Sequence, residues 1–405
     1  MSERSPDMPP TIPVVPDEVD IHSQSRSLRV QDDLFPPELV VKFFEHLHDD
    51  KDLPAVKVAS LVCRSWRAIS SPYVFRRVVV SSKGSLEGLA AFLESDLGIH
   101  RYARTLVICP RPGEVPASAD WASDVPATLA ALLPGLQAVE LAQLNEHDTH
   151  LGTGFVRGLA AFAAVGTLTL RQCTMTPRLL HALVSAPPAL HTVAVQSLLT
   201  AQVGVDADVP QLRNPALQSL EVRPTGGYVA SADNILPWIA TTATAQSLRA
   251  LKLTVRLVES VGVGRFVQAV AGRLEELELD LEPFLDLPLE TLTMKQNISI
   301  TSCTQLRSFA VYDPDVLSPA VAGFLNELNS QRLETISLRV TAEVTGPALL
   351  PDLSSLAVPL SQRLGSLKAV RVGYRGPVAI GEARRQIEAS LAPIHAKNIL
   401  VVHRA

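Results

Sequence analysis

From Phe75 onward the chain repeats one spacing of large apolar residues, apolar-x-x-apolar-x-apolar. The clearest copies read LQSLEV (217–222), LRALKL (248–253), LEELEL (274–279) and LETISL (333–338). Eleven copies occur, with first positions at Phe75, Ala103, Leu136, Val165, Leu190, Leu217, Leu248, Leu274, Leu306, Leu333 and Leu367. Apolar residues that alternate with polar ones are typical of a half-buried strand, so each copy predicts one short strand.

Amphipathic segments lie between these strands. Thr176-Pro177 begins one such segment, Ser318-Pro319 begins another, and Gly272 ends a third. Because Ser and Thr cap helix starts, Pro fits the first turn and Gly follows the last turn, these segments are predicted to be helices. A strand that alternates with a helix every ~29 residues predicts parallel strands in one curved sheet, with the helices outside.

The region before the repeats has a helical pattern instead. The first helix begins with two prolines, Pro36 and Pro37, at first-turn positions. Its apolar face consists of Leu39, Val40, Phe43, Phe44 and Leu47. Leu53-Pro54 begins a second short helix after a polar break. A third helix is predicted from Leu61 to Ile69, ended by Ser70-Ser71-Pro72. Residues 31–73 are therefore predicted to form a three-helix module that is too small to bury all its apolar surface.

The predicted fold class is α/β: this small helical module is followed by a solenoid over residues 74–405. The repeats resemble leucine-rich repeats, whose pattern usually has Asn or Cys at the ninth position. That position is Cys173 in one copy, but it is Leu144, Leu198, Arg256, Glu282 and Pro314 in others. The solenoid is therefore expected to be irregular. Longer loops are expected around 202–215, 282–305 and 341–366.

Two short motifs mark the ends of the helical module. The first is Phe35-Pro36-Pro37-Glu38-Leu39 and the second is Val62-Cys63-Arg64-Ser65-Trp66. Together they resemble the F-box, whose pattern is roughly Leu-Pro-x-Glu-Leu, an apolar helix face and then Val-Cys-x-x-Trp. Phe35 stands where Leu is usual, which is a conservative exchange. An F-box that leads directly into a repeat array is similar to the F-box/leucine-rich-repeat proteins common in fungi.

The resemblance implies a substrate-recognition subunit of an SCF-type cullin–RING ubiquitin ligase. In that family the F-box helices bind a small Skp-type adaptor, which tethers them to the cullin. Carried over by position, the adaptor-binding residues are Phe35, Pro36, Pro37, Leu39, Phe43, Leu47, Val62, Cys63 and Trp66. The alternative for each residue, above all Leu47 and Val62, is packing among the three helices. Pro36 and Pro37 are expected to face outward.

The solenoid is expected to provide the substrate-binding face. Residues that flank the inward apolar pair of each strand point to the concave side of the sheet. The substrate-binding candidates there are Arg171, Glu221, Arg223, Lys252, Glu276, Glu278, Asp280, Tyr312, Arg339 and Arg371. Glu276, Glu278 and Asp280 lie on one strand, so they are interpreted as an acidic ridge for a basic substrate segment. The alternative is an ordinary solvated face, with Lys252 and Arg223 neutralising the ridge.

Composition narrows the class of protein. The net charge of −5 disfavours nucleic acid as the main partner, because phosphate binding needs a basic surface. Cys63, Cys109, Cys173 and Cys303 are too dispersed for a disulfide framework or a metal site, which favours reduced thiols in the cytoplasm or nucleus. No apolar run reaches 18 residues without a polar interruption, so no membrane span is predicted. Residues 1–30 are rich in Ser, Pro and Asp, so we expect a disordered tail without a secretory signal.

Catalytic motifs are missing from the sequence. It contains no HExxH zinc motif, no GxSxG nucleophile motif and no phosphate-binding GxxxxGK[ST] loop. The expectation is therefore a non-enzymatic protein without cofactor or metal. Three functions remain open: a ligase substrate receptor, an F-box/repeat scaffold that does not transfer ubiquitin, and, least favoured, a divergent enzyme on a repeat fold.

Overall fold

The computed structural model of the protein describes residues 35–49, 52–95, 98–110, 121–149, 151–200, 214–223, 232–282, 288–313, 319–341, 350, 353–362 and 365–404. The tail predicted for residues 1–30 lies outside the described residues. The chain divides into two compact units, Met1–Val74 and Phe75–Ala405. Each unit is described by itself.

Three helices form the first unit: α1 (Pro37–Asp49), α2 (Leu53–Ala59) and α3 (Arg64–Val74). The carbonyl of Pro36 accepts hydrogen bonds from the first turn of α1, and the Asp52 carboxylate accepts one from the N–H of Ala55 at 3.0 Å, which caps α2. Among the described residues of this unit, the buried apolar core is small and consists of Val40, Phe44, Val56 and Ala59. Half-buried side chains of all three helices surround it.

The third helix differs from its predicted bounds. It begins at Arg64 rather than Leu61, and it includes Pro72 instead of ending there. A proline inside a helix removes one hydrogen bond and crowds the preceding turn. Packing offsets this cost, because the Tyr73 ring stacks on the buried Phe44 ring with the centroids 6.1 Å apart. Tertiary contact therefore overrides the local stop signal.

The second unit contains one sheet of twelve parallel strands in sequence order. The strands are β1 (Arg77–Val80), β2 (Thr105–Ile108), β3 (Ala138–Ala142), β4 (Thr167–Met175), β5 (Thr192–Thr200), β6 (Ser219–Arg223), β7 (Ala250–Val255), β8 (Glu276–Leu281), β9 (Ser308–Tyr312), β10 (Thr335–Thr341), β11 (Ala369–Arg375) and β12 (Leu400–Arg404).

Helices connect the strands. They are α4 (Lys83–Glu94), α5 (Trp121–Leu129), α6 (Glu146–Thr149), α7 (Thr153–Ala160), α8 (Pro177–Ser185), α9 (Ala232–Ala240), α10 (Thr244–Ser247), α11 (Ser260–Val270), α12 (Pro288–Asn297), α13 (Pro319–Glu327), α14 (Ser354–Ser361), α15 (Ile380–Ser390) and α16 (Ala392–His395). The predicted cap of α8 is present, because the Thr176 hydroxyl accepts a hydrogen bond from the Leu179 N–H at 3.2 Å.

The apolar repeat sets the register of the sheet. Leu277 and Leu279 of β8 are buried, and they pair with the equivalent apolar residues of β7 and β9. These inward residues form one continuous core with the apolar faces of the helices. The alternate strand residues lie on the opposite face, here called the open face. This arrangement confirms the predicted α/β fold class, and all eleven predicted strands are present.

A twelfth strand was not predicted. β12 pairs with β11 in the same parallel register, with Leu400 opposite Val370 and Val402 opposite Val372. The equivalent first position of this copy is Lys397, which is polar. The apolar-x-x-apolar-x-apolar spacing is therefore incomplete, although the two inward residues of the strand are retained.

Two of the predicted long loops contain helices. α12 lies within 282–305, and α14 lies within 341–366. The buried side of α12 includes Thr291 and Lys295 next to Met294, so its apolar periodicity is weak. The Lys295 ammonium is paired with the Glu327 carboxylate and lies 5.0 Å from the centroid of the Phe324 ring. Lys295, neutralised by Glu327, thus occupies a buried position that is usually apolar. The apolar pattern of the sequence therefore does not reveal the buried side of α12. The third expected loop, 202–215, lies almost entirely outside the described residues.

Charged side chains alternate along the residues that immediately precede strands β7–β11. These residues are Arg249, Glu275, Arg307, Glu334 and Lys368. The backbone N–H of each of the last four donates to the carbonyl of the residue before it in this series, at 2.7–2.8 Å. Glu275 pairs with Arg249 and Arg307, and Lys368 lies 2.8 Å from Glu334. A hydrogen bond from Lys368 lowers the pKa of the Glu334 carboxyl.

A glycine on α11 allows close contact with α12. A Cβ atom at Gly264 would collide with the carbonyl oxygen of Asn297. We expect Gly264→Ala to destabilise the protein by about 1–3 kcal/mol, because the backbone of α12 must move. Gly88→Ala in α4 is the matched control, since nothing lies within 4 Å of its added Cβ. Thermal unfolding of the full chain measures both, and an equal melting temperature for the two variants would contradict the expectation.

Candidate docking surfaces

The helical unit exposes many of its large apolar side chains. Those more than a third exposed are Phe35, Leu39, Phe43, Val58, Leu61 and Val62. Leu61 is 80% exposed, and it lies with Val62 in the turn between α2 and α3. Six such side chains around a core of four fully buried residues make an apolar surface that is large for the size of the unit.

Trp66 lies beside this surface, at the centre of an aromatic cluster. The centroid of its ring is 6.2 Å from that of Phe35, 5.5 Å from that of Phe43 and 5.7 Å from that of Phe44. The sulfur of Cys63 accepts a hydrogen bond from the backbone N–H of Trp66 at 3.5 Å, at the start of α3. Trp66 thus connects the buried core to the exposed rings of Phe35 and Phe43.

The nine predicted adaptor-binding residues divide into two groups. The exposed group is Phe35, Pro36, Pro37, Leu39, Phe43 and Val62, and the half-buried group is Leu47, Cys63 and Trp66. Leu47 packs against the helical core, as the alternative interpretation had it, whereas Val62 does not. Val58 and Leu61 were not among the predicted adaptor-binding residues. Leu61 was assigned to the third helix, but the structure places it in the turn before that helix, where its side chain is exposed.

On the open face of the sheet, the structure brings four of the predicted residues together. The Arg223 guanidinium lies 2.8 Å from Glu278 and 3.0 Å from Glu221, and the Lys252 ammonium lies 3.7 Å from Glu278. The Gln196 amide also donates to Glu221 at 3.4 Å. The carboxylates of this cluster are therefore neutralised within the sheet.

A second cluster joins strands β8, β9 and β10. The Arg339 guanidinium lies 3.8 Å from the Asp280 carboxylate and 4.2 Å from the centroid of the Tyr312 ring. Burial raises the pKa of the Asp280 carboxyl, an effect that Arg339 and Arg223 oppose. Burial also raises the pKa of the Tyr312 hydroxyl. Arg339 is thus held over an aromatic ring, an arrangement that limits its rotamers.

The predicted acidic ridge consequently has only one exposed member. Glu278 and Asp280 have cationic partners, whereas Glu276 has no ion pair within the described part of the chain. The alternative interpretation of the ridge was neutralisation by Arg223 and Lys252. This interpretation is correct for Glu278, which both cations contact. Arg371 is separate from both clusters, with its side chain exposed and no ion pair among the described residues.

Arg171 belongs to a third cluster at the other end of the sheet. Its guanidinium lies 3.1 Å from the Glu140 carboxylate, which also lies 3.1 Å from Arg77. Glu140 and Arg77 were not predicted as site residues. Glu140 lies between the inward residues Val139 and Leu141, so the alternation that selected Glu221 and Glu278 would also have selected it.

A shallow depression of about 680 Å³ lies on the open face across β9–β12. Its lining includes Tyr312, Arg339, Arg371, Gly373 and His403. Gly373 pairs with Arg339 on one side and with His403 on the other. Gly373 has no side chain and is itself buried, so it forms part of the floor of the depression between the two neighbouring basic residues.

The buried thiols are poorly suited to nucleophilic chemistry. Burial raises the pKa of Cys173 to about 11 and that of Cys303 to about 12. The Cys173 sulfur donates to the Leu141 carbonyl at 3.3 Å, so this thiol satisfies a backbone group between repeats. In the part of the chain that the structure describes, no three His, Cys, Asp or Glu side chains are placed to hold a metal ion. None of the described helices combines the length and apolarity needed to cross a membrane.

Two carboxylates on the same strand permit a direct test of the sheet-face ion pairs. Glu278→Gln removes the charge that Arg223 and Lys252 contact, so we expect a loss of about 1 kcal/mol in the free energy of unfolding. Glu276→Gln removes an exposed charge that has no ion pair among the described residues, so it should change the free energy of unfolding by less than about 0.5 kcal/mol. Chemical denaturation in low salt measures both. Equal effects of the two substitutions would show that the cluster contributes nothing to stability.

Comparison with known proteins identifies the first unit more closely than the second. A search of curated proteins finds no match to the chain. Among solved structures, a psychrophilic glycoside hydrolase family 10 endo-β-1,4-xylanase is aligned at 8% identity over 81% of this chain and 84% of the other, with a TM-score of 0.16, which supports no conclusion about fold or function. A family model described as F-box-like matches residues 33–81. The chain therefore contains an F-box-like domain, followed by a twelve-stranded parallel sheet with connecting helices.

Proposed function

We propose that this protein is the substrate-recognition subunit of an SCF-type cullin–RING ubiquitin ligase. In this proposal the F-box-like unit docks on a Skp-type adaptor, and the open face of the sheet binds the substrate protein. The observation that carries it is the exposed apolar surface of the helical unit within residues that match the F-box-like family. F-box domains generally bind Skp-type adaptors, so the family match and the surface point to the same kind of partner.

The physical argument rests on the size of the helical core. Four fully buried residues give a folded unit little margin against the entropy of its chain. Burying one large apolar side chain completely contributes about 1.5–3 kcal/mol. Phe35, Leu39 and Val62 are each a little more than half exposed, so docking that covers them would contribute roughly half of that amount per side chain, a substantial addition to so small a core. A permanent partner is the simplest way to stabilise such a unit.

The sheet supports a binding role rather than catalysis. Its open face presents paired charges, a cation stacked on an aromatic ring and a shallow depression, all of which suit contact with another protein. We propose that the protein is not an enzyme, that it works without cofactor or metal, and that it acts in the cytoplasm or nucleus.

The docking surface can be tested without disturbing the core. Leu39→Asp and Val62→Asp place a charge on exposed positions of the helical unit, so each should weaken adaptor capture by about tenfold or more while the fold is retained. Val258→Asp is the matched control, because Val258 is 77% exposed on the sheet unit. Interferometry with immobilised Skp-type adaptor and purified full-length chain measures the affinities. Unchanged capture by the Val62 variant, or an equal loss in the control, would refute docking through this surface.

A scaffold that binds the adaptor without ubiquitin transfer is the second candidate. The features described above suit it equally, since docking alone requires only the helical unit. Proteins bound to the full-length chain in the source cell should be quantified with and without proteasome inhibition. A ligase receptor predicts that captured substrates increase with the inhibitor, and that Val62→Asp raises them without it. If neither proteasome inhibition nor Val62→Asp alters the abundance of the bound proteins, the result would favour the scaffold.

A further inference from the structure

Charge is unevenly distributed along the open face of the sheet. On strands β1–β8 the open-face residues include five carboxylates, namely Glu140, Glu221, Glu276, Glu278 and Asp280, and four cations, namely Arg77, Arg171, Arg223 and Lys252. Five negative and four positive charges leave a net charge of −1. On strands β9–β12 they include Arg339, Arg371 and Arg375 and no carboxylate, which gives +3 with His403 neutral.

The basic end of the face retains its charge. Arg371 and Arg375 are both exposed on β11, and neither makes an ion pair with a described residue. Arg339 is only loosely paired with Asp280 at 3.8 Å, which leaves guanidinium N–H groups for another acceptor. Every carboxylate of the other strands except Glu276 lies within 4 Å of a cation, whereas Arg371 and Arg375 have no carboxylate partner among the described residues. The protein as a whole has a net charge of −5, so the unpaired Arg371 and Arg375 are a local feature of this end of the sheet and do not reflect an overall positive charge.

The shape of this end suits a protruding side chain. Gly373 separates Arg339 from His403, and two strand spacings of about 4.8 Å place these residues about 10 Å apart. The Tyr312 ring holds Arg339 at one side of the depression, and Arg371 lines the same depression. A carboxylate that enters the depression can accept hydrogen bonds from a guanidinium already fixed in orientation.

We propose that the depression across β9–β12 binds an acidic segment of the partner protein, rich in Asp and Glu, with Arg371 and Arg339 as the anchoring residues. This inference rests on the proposed function, because it names the class of substrate that the open face recognises. It reverses the charge of the segment that the sequence pattern had suggested for Glu276, Glu278 and Asp280. A protein segment is favoured over nucleic acid, because a phosphate backbone requires a longer row of cations than this end provides.

The test uses the purified full-length chain and three fluorescent probes: a glutamate-rich peptide, a lysine-rich peptide of equal length and a single-stranded oligonucleotide of equal charge. Anisotropy at low salt should show binding of the glutamate-rich peptide alone. Arg371→Glu should weaken that binding by about tenfold or more, the change expected for loss of one charge-assisted contact. Arg385→Glu, which makes the same charge change at an exposed position on α15, should leave the affinity within about twofold.

Two outcomes overturn the inference. Equal weakening by Arg371→Glu and Arg385→Glu would mean diffuse attraction without a site, and tighter binding of the oligonucleotide would assign the surface to nucleic acid. Capture of the Skp-type adaptor by the same preparations separates this inference from the proposed function. Adaptor capture without peptide binding refutes only the acidic-segment site, whereas peptide binding without adaptor capture refutes only the ligase role.

Discussion

The constraint on which the second unit depends is that no repeat can bury its own apolar pair. Leu277 and Leu279 leave water only because β7 and β9 lie on either side of them in parallel register. The same holds for every interior strand, so stability is gained between neighbours and accumulates along the array. This dependence explains why the inward positions remain apolar in all twelve strands while the ninth position and the connecting segments vary. The fold tolerates irregular connections because the strand register is fixed by two residues in each copy.

Polar groups follow the same nearest-neighbour rule. Lys295 of α12 is buried, and Glu327 of α13 neutralises it while also accepting the N–H of Ile300. Glu278 is paired with cations of β6 and β7, and the charges that precede β7–β11 alternate in sign. A buried or crowded charge is tolerated when the adjacent repeat supplies its partner, because removal of that partner leaves a desolvation cost. Charges without such a partner are the ones that remain available to another molecule.

Sequence periodicity predicted the fold well because two inward apolar residues determine each strand. It missed β12, where Lys397 replaces the first apolar residue, and α12, where a paired lysine occupies a buried position. The exposed apolar surface of the helical unit was predicted in part from the F-box motif, whereas Leu61 lies outside any helical face. The acidic ridge was open to two interpretations, a binding site and neutralisation by Arg223 and Lys252, and strand alternation alone could not decide between them, because Arg223 reaches Glu278 across two strands. Such a contact depends on the register of β6, β7 and β8, which the sequence pattern of a single strand does not give.

The two units present opposite kinds of surface, and this contrast is a physical argument for two kinds of partner. The helical unit exposes apolar side chains such as Leu39 and Val62, whose contacts are non-directional and strong, and such a surface suits one constant partner. The open face of the sheet exposes arginines whose contacts are directional, and desolvating them is costly without a matching acceptor. Charge of this kind contributes more to selectivity than to affinity, because a wrong partner leaves it unpaired. The proposed role combines constant attachment to one assembly with selection among substrate proteins, and the two kinds of surface that it would use lie in separate units of this chain.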